Sequence, residues 1–256
     1  MPSRIIVQGT LASEERLRWL SEKLTVDGTV TIADAAGALG VSEMTIRRDL
    51  AELEGRGTAR RVRGGAKAVG PQKFAERHHT AARSKSRIAA KLAELVPATG
   101  AIAFDASSTV MRLARALDKP RDLSIITNGP DTFTALQAVP GVTALLTGGQ
   151  LDARTGSLVG PLACRTAAQL TVELFFASAA ALDPSVGALE ATLEEAEVKR
   201  SFAAGAERVV LAADSSKLDA RAVAVGLDWD RVDILVTDLE PTDRRLSPYR
   251  GIVQVR

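Results

Sequence analysis

The chain has 256 residues, 46% of them hydrophobic and 25% charged, with 33 Lys and Arg against 31 Asp and Glu and a single cysteine, Cys164. That length suits a small domain joined to a medium one, and one thiol excludes an intramolecular disulfide and argues against a cysteine-based zinc site. The longest apolar runs, such as Leu174 to Leu182, fall short of the roughly 20 residues a membrane helix needs, and residues 1–10 lack the pattern of a secretory leader, so a cytoplasmic protein with no membrane partner is expected.

In chain order, Glu14 to Val26 comes first, with Leu17, Leu20 and Leu24 at helical spacing. Asp27-Gly28 ends it, and Thr29-Val30-Thr31 has room for only a short extended piece. Thr31 then caps a helix over Ile32–Leu39. Gly37 weakens that helix by on the order of 1 kcal/mol relative to alanine, so it must lean on its neighbours. Gly40 breaks it, and Ser42 caps a third helix from Glu43 to Glu54. Here Ile46, Leu50 and Leu53 make an inward stripe, which places Thr45, Arg47 and Arg48 on or beside the outward face. Glu43–Arg47 and Arg48–Glu52 are i, i+4 pairs worth tenths of a kcal/mol. Next, Arg60-Arg61-Val62-Arg63-Gly64-Gly65-Ala66 suits a β-hairpin wing or the arm leaving one.

The small net charge hides an asymmetry. Residues 56–91 hold 11 Lys and Arg and one acidic residue, whereas residues 1–55 hold 6 and 9 and residues 92–256 hold 16 and 21. A block this basic either meets an anionic partner or stays solvated as a linker. Residues 67–83 read as a connector broken at Gly70-Pro71, with His78 and His79 as solvated linker residues. The expected domains are therefore a head over 1–68, a linker over 69–83 and a body over 84–256.

From Ser84 helices alternate with buried strands. The predicted strands are Ala101–Asp105, Ser124–Asn128, Val142–Thr147, Leu174–Ala181, Arg208–Asp214 and Ile234–Asp238. The predicted helices are Ser84–Val96, Ser107–Leu117, Asp131–Val139, Pro161–Leu170 and Glu190–Ala204. The fold class is α/β, a small N-terminal winged helix-turn-helix followed by a larger domain with a mostly parallel sheet covered by helices. The sequence contains no GxGxxG, no phosphate loop ending in Gly-Lys-Ser/Thr and no clustered His/Cys set, so no cofactor, metal or catalytic residue is assigned.

Periodicity alone leaves two readings of the third helix: a DNA-recognition helix, or the charged outer helix of a small helical subdomain. The run Val41-Ser42-Glu43-Met44-Thr45-Ile46-Arg47-Arg48-Asp49-Leu50, then Leu53-Glu54, then Gly64-Gly65-Ala66, closely resembles the DNA-binding head of the DeoR family of bacterial regulators. The resemblance implies that Ser42, Met44, Thr45, Arg47 and Arg48 face the groove and phosphates of a double-stranded operator. It also implies that Arg60, Arg61 and Arg63 lie on the wing.

The resemblance continues through Phe74-x-x-Arg77, Lys85, Asp105 with Ser108-Thr109, Thr127-Asn128, Gly148-Gly149, Gly160-Pro161, Glu197-x-Lys199 and Asp214-Ser215-Ser216-Lys217. It implies a body like sugar-phosphate isomerases that binds a small phosphorylated metabolite. The physics agrees: Asp105 ends a strand, and Ser107, Ser108 and Thr109 open a helix whose N-terminal N–H groups suit a phosphate. Strand ends at 105, 128, 149, 183 and 214 are expected along one sheet edge, where ligands of open α/β folds bind, with Lys85 and Lys217 as cationic contacts. Thus Lys85, Asp105, Ser107, Ser108, Thr109, Thr127, Asn128, Gly148, Gly149, Asp183, Lys199 and Lys217 are the candidate effector residues. The chain departs from the family pattern where Ser107 replaces a glycine, Ala181 a glycine and Leu189 a hydroxyl residue. These departures imply a ligand altered from the usual sugar phosphates or a weaker grip on it.

The expected protein is a sequence-specific regulator, a repressor whose grip on DNA a phosphorylated metabolite modulates. A helix-turn-helix reads two half-sites, so a homodimer or homotetramer is expected. One rival is an isomerase-like enzyme with a DNA-binding head, using Asp105, Asp183, Glu197 and Lys217 for acid–base work. Another is a nucleoid-like protein without sequence preference, which leaves the body unused.

Overall fold

The computed structural model describes residues 10–55, 59–68, 80–218 and 220–256. The chain divides into two compact units, Met1–Gln72 and Lys73–Arg256. Residues 69–79, most of the expected linker with His78 and His79, lie outside the described residues.

The first unit runs α1 (Thr10–Asp27), β1 (Thr29–Thr31), α2 (Ile32–Leu39), α3 (Glu43–Gly55), β2 (Ala59–Val62) and β3 (Gly65–Ala68). Thr31 caps α2 by accepting from Asp34 N at 3.1 Å, and Gly40 ends it in the left-handed region at φ 65°. Leu17, Leu20 and Leu24 of α1 bury against Ile46, Leu50 and Leu53 of α3 in one core that also takes Val30, Ile32 and Ala66. The three strands form an antiparallel sheet ordered β1-β3-β2. The Gly64-Gly65 pair divides two tasks. Gly64 takes the turn at φ 83°, while a Cβ on Gly65 would lie 2.0 Å from Val30 O, so only glycine lets β3 meet β1.

In the second unit a seven-stranded sheet, parallel throughout, has the order β15-β14-β12-β9-β4-β5-β6. Its strands are β4 (Thr99–Phe104), β5 (Asp122–Thr127), β6 (Val142–Leu146), β9 (Val172–Ser178), β12 (Ala206–Ala212), β14 (Ile234–Val236) and β15 (Gln254–Val255). The covering helices are α4 (Ala82–Ala93), α5 (Ser108–Arg115), α6 (Pro130–Gln137), α7 (Pro161–Ala168) and α8 (Leu193–Ala204). Leu174 and Phe176 of β9 enter one core, and Phe175 and Ala177 the other. Burial on both faces is why the central strands, β9 above all, read as unbroken apolar runs rather than as alternation.

Three expectations need correction. The run Leu174–Ala181 is not one strand: β9 ends at Ser178, and Ala181–Asp183 forms β10 in a separate antiparallel sheet ordered β10-β11-β13, with β11 (Gly187–Glu190) and β13 (Ala224–Leu227). The chain turns off because Ala180 N already bonds Leu189 O at 2.9 Å. Asp183 therefore ends a strand of this small sheet and not of the parallel one. The last predicted helix does not begin at Glu190, which closes β11; α8 begins at Leu193 with Thr192 accepting from Glu195 N at 3.2 Å. The sequence also gave no sign of the hairpin of β7 (Gln150–Asp152) and β8 (Ser157–Val159), whose three-residue strands are too short to show a period.

Candidate functional site

The first unit presents α3. Ser42 Oγ accepts from Thr45 N at 3.2 Å and lies 2.9 Å from Thr45 Oγ1, fixing the first turn of the helix. Met44 is 73% exposed, and Arg47 and Arg48 are exposed beside it. Arg47 keeps an open i, i+4 pair with Glu43 at 3.5 Å. The opposite face of α3 is anchored by a contact that periodicity did not reveal. Asp49, 2% exposed, takes both prongs of the Arg16 fork, Nε at 2.8 Å and Nη2 at 3.2 Å. That hydrogen-bonded pairing raises the Arg16 pKa further above its ordinary value.

The hairpin of β2 and β3 exposes Arg60, Arg61 and Arg63. Arg61 is also tied to α3: its Nε meets Glu54 Oε2 at 2.6 Å and its backbone N donates to Glu54 Oε1 at 2.9 Å. These bonds hold the Glu54 carboxyl below the usual range. Arg61 thus aligns the hairpin with the helix, a second role beyond carrying charge.

In the second unit the candidates gather where β4, β5, β9 and β12 end. Asp105 links several elements: Oδ1 accepts from Ser107 N at 2.9 Å, Oδ2 accepts from Ser178 N at 2.7 Å, and Lys199 Nζ lies 3.0 Å away. Ser107 caps α5 by accepting from Val110 N at 3.1 Å, so its departure from glycine has a structural use. Ser108 and Thr109 follow in the first turn, both buried. Thr127 Oγ1 accepts from Gly129 N at 3.0 Å, and Asn128 Nδ2 donates to Leu158 O at 3.1 Å. Asn128 Oδ1 is buried without a partner among the described residues. Gly148 and Gly149 turn at φ 71° and 121°, and Gly149 packs on α7 where a Cβ would lie 3.0 Å from Ala163 Cβ. Lys85 is buried on α4, and Lys217 sits half-buried on the short 3-10 turn Ser215–Lys217.

Lys199 sits in a buried network. It donates to Glu190 Oε1 at 2.6 Å and to Ser178 O, and Glu195, which accepts from Ser157 Oγ at 3.2 Å, adds its charge nearby. Burial pushes the Glu190 carboxyl up to about 7 against the pull of Lys199, while the surrounding carboxylates hold the ammonium charged. Glu190 and Glu195 were missed from sequence, because nothing in their spacing separates them from surface carboxylates.

Two other candidates make local contacts. Asp183 Oδ1 accepts from Ser185 N at 2.8 Å and Ser185 Oγ at 2.6 Å, which lowers its pKa and makes it the cap of the β10–β11 turn. Glu197 faces outward and pairs with Arg200 at 2.6 Å. Of the four residues that acid–base work would use, these two are thus engaged within their own turn and helix.

Comparison with known proteins follows the same division. Residues 16–72 match the model of a DeoR-like helix-turn-helix domain, and residues 80–239 match that of the DeoR C terminal sensor domain. An HTH-type transcriptional regulator GlpR of Haloferax volcanii is 32% identical, covering 94% of this chain and 96% of its own. The deoxyribose operon repressor of Escherichia coli is 33% identical over 90% and 92% of the two chains. The glycerol-3-phosphate regulon repressor of the same species is 27% identical over 89% and 91%.

Proposed function

The chain belongs to the DeoR family of DNA-binding transcriptional regulators, and from that premise we propose that it is a cytoplasmic repressor released by a phosphorylated sugar or polyol. The observation that carries the DNA half is the outward row of Ser42, Met44, Thr45, Arg47 and Arg48 on a helix whose inner face is locked by Asp49. Thr45, Arg47 and Arg48 stand in the first two turns, the part of a recognition helix that reaches base edges, and an arginine there discriminates guanine by roughly 1–3 kcal/mol. Arg60 and Arg63 contact phosphates, and Arg61 both contacts phosphate and holds the wing. Two half-sites call for a homodimer or homotetramer.

For the effector, the phosphate sits at the N-terminus of α5, on Ser107, Ser108 and Thr109, with Lys85 and Lys217 balancing its charge. Hydroxyls meet Asp105, Asn128 and the Gly148-Gly149 turn. Asn128 Oδ1 supports this, since a buried acceptor with no partner costs about 1–3 kcal/mol until a donor arrives. Asp183 drops out of the set, and Lys199 acts by holding Asp105. Relatives named as repressors of deoxyribose and glycerol-3-phosphate genes motivate the ligand class. A thermal-shift screen of phosphorylated sugars and polyols, followed by gel shift on the DNA upstream of the chain's own gene, tests this reading. A compound that stabilises the protein and frees the DNA is expected. If no phosphorylated compound does so, the effector class is wrong.

A further inference from the structure

We propose that the free edge of β6 is the surface through which two copies of this chain associate about a two-fold axis. Among the described residues, the other outer strands of the two larger sheets of the second unit are blunted. β15 is only two residues long. On β10, Trp229 Nε1 donates to Asp183 O at 2.8 Å and the Tyr249 hydroxyl donates to Leu182 O at 3.4 Å. On β13, Arg200 donates to Val225 O, and the register slips beside it between Ala188 and Leu189. Short length, capping side chains, charge and bulges are the usual means by which proteins prevent edge pairing.

β6 has none of these among the described residues. It pairs in register with β5 from Leu123–Val142 to Thr127–Leu146, and it is the last strand of its sheet. The stretch from Val139 to Leu151 contains no charged residue. Leu145 and Leu146 are 41% and 37% exposed, and Leu151 and Leu162 beyond the strand are 56% and 52% exposed. Leu162 adjoins the turn leaving β6, its Cδ2 being 3.6 Å from where a Gly148 Cβ would stand.

The absence of charge suits a second copy of this chain. Antiparallel pairing about a two-fold axis sets a strand against its own sequence, so any charge near the centre would face a like charge. An uncharged Val-Thr-Ala-Leu-Leu strand meets that condition. The choice of a second copy also rests on the two half-sites proposed above, so the experiment contains no DNA, and its failure leaves the operator reading standing.

The full chain is measured by light scattering after gel filtration, beside T143K, L145K and L193K. Thr143, Leu145 and Leu193 are all exposed, and Leu193 opens α8 away from β6. The wild type is expected at twice the one-chain mass or an even multiple of it. T143K and L145K should fall to half the wild-type mass with unchanged circular dichroism, while L193K keeps it. Should L145K lose its fold, T143K decides, because it alters only a solvent-facing polar side chain. A wild type at the one-chain mass, a T143K that keeps wild-type mass, or an L193K that halves it overturns the proposal.

Discussion

Asp49 lies on a helix meant to meet DNA, and a carboxylate on such a helix would repel phosphate if it pointed outward. The fork of Arg16 holds it inward, so the acidic residue of the Arg-Arg-Asp-Leu run works as an anchor. Replacing Asp49 with alanine leaves Arg16 without its carboxylate and should cost about 2 kcal/mol, discounted because Arg16 is partly exposed. Urea unfolding of the full chain should show the loss; an unchanged transition removes the anchor role. Glu190 offers a test by pH. Its pKa in the folded chain lies above the ordinary value, so folding takes up a proton. That favours the fold below the unfolded pKa, and the benefit fades as pH rises through about 7. Lys199, with its pKa raised, stays charged throughout that window. The melting temperature should therefore fall between pH 5 and pH 8, and Glu190→Gln should flatten that slope. A slope identical in the variant assigns the titration elsewhere.

Among the elements, those with a long period or a capping residue were legible from sequence. The stripe of Ile46, Leu50 and Leu53 and the caps at Thr31 and Ser42 mark α2 and α3 in the sequence itself. The central parallel strands showed as apolar runs because both faces are buried. What escaped were contacts between residues far apart in sequence: Arg16 with Asp49, and Glu190 and Glu195 around Lys199. A local pattern carries no signal for such pairs. Asp183 misled for a related reason, since an apolar run cannot show that its chain leaves one sheet for another. Ser107 belongs to this scale too, because its hydroxyl starts α5. Ser107→Ala should cost about 1 kcal/mol, whereas Ser107→Gly, which restores the family residue, should cost only a few tenths. Thermal unfolding separates the two, and equal losses would mean that the cap does not matter.

At the level of the whole molecule, the chain joins a DNA-reading unit to a unit that holds candidate anion contacts at its strand ends. Regulation requires the metabolite to bind the DNA-competent and DNA-incompetent states unequally, and linkage makes the effect reciprocal. Saturating operator should therefore weaken binding of a releasing metabolite by the same factor by which the metabolite weakens binding of the operator, which paired titration calorimetry can check. Beneath that coupling lies the assignment of α3 as the helix that reads sequence. Fluorescence anisotropy with the full chain should give Arg48→Ala a Kd for the upstream operator at least about tenfold above wild type. Its affinity for a scrambled duplex at the same salt should change far less, and its circular dichroism should not change. Wild-type affinity for the operator in that variant refutes the assignment.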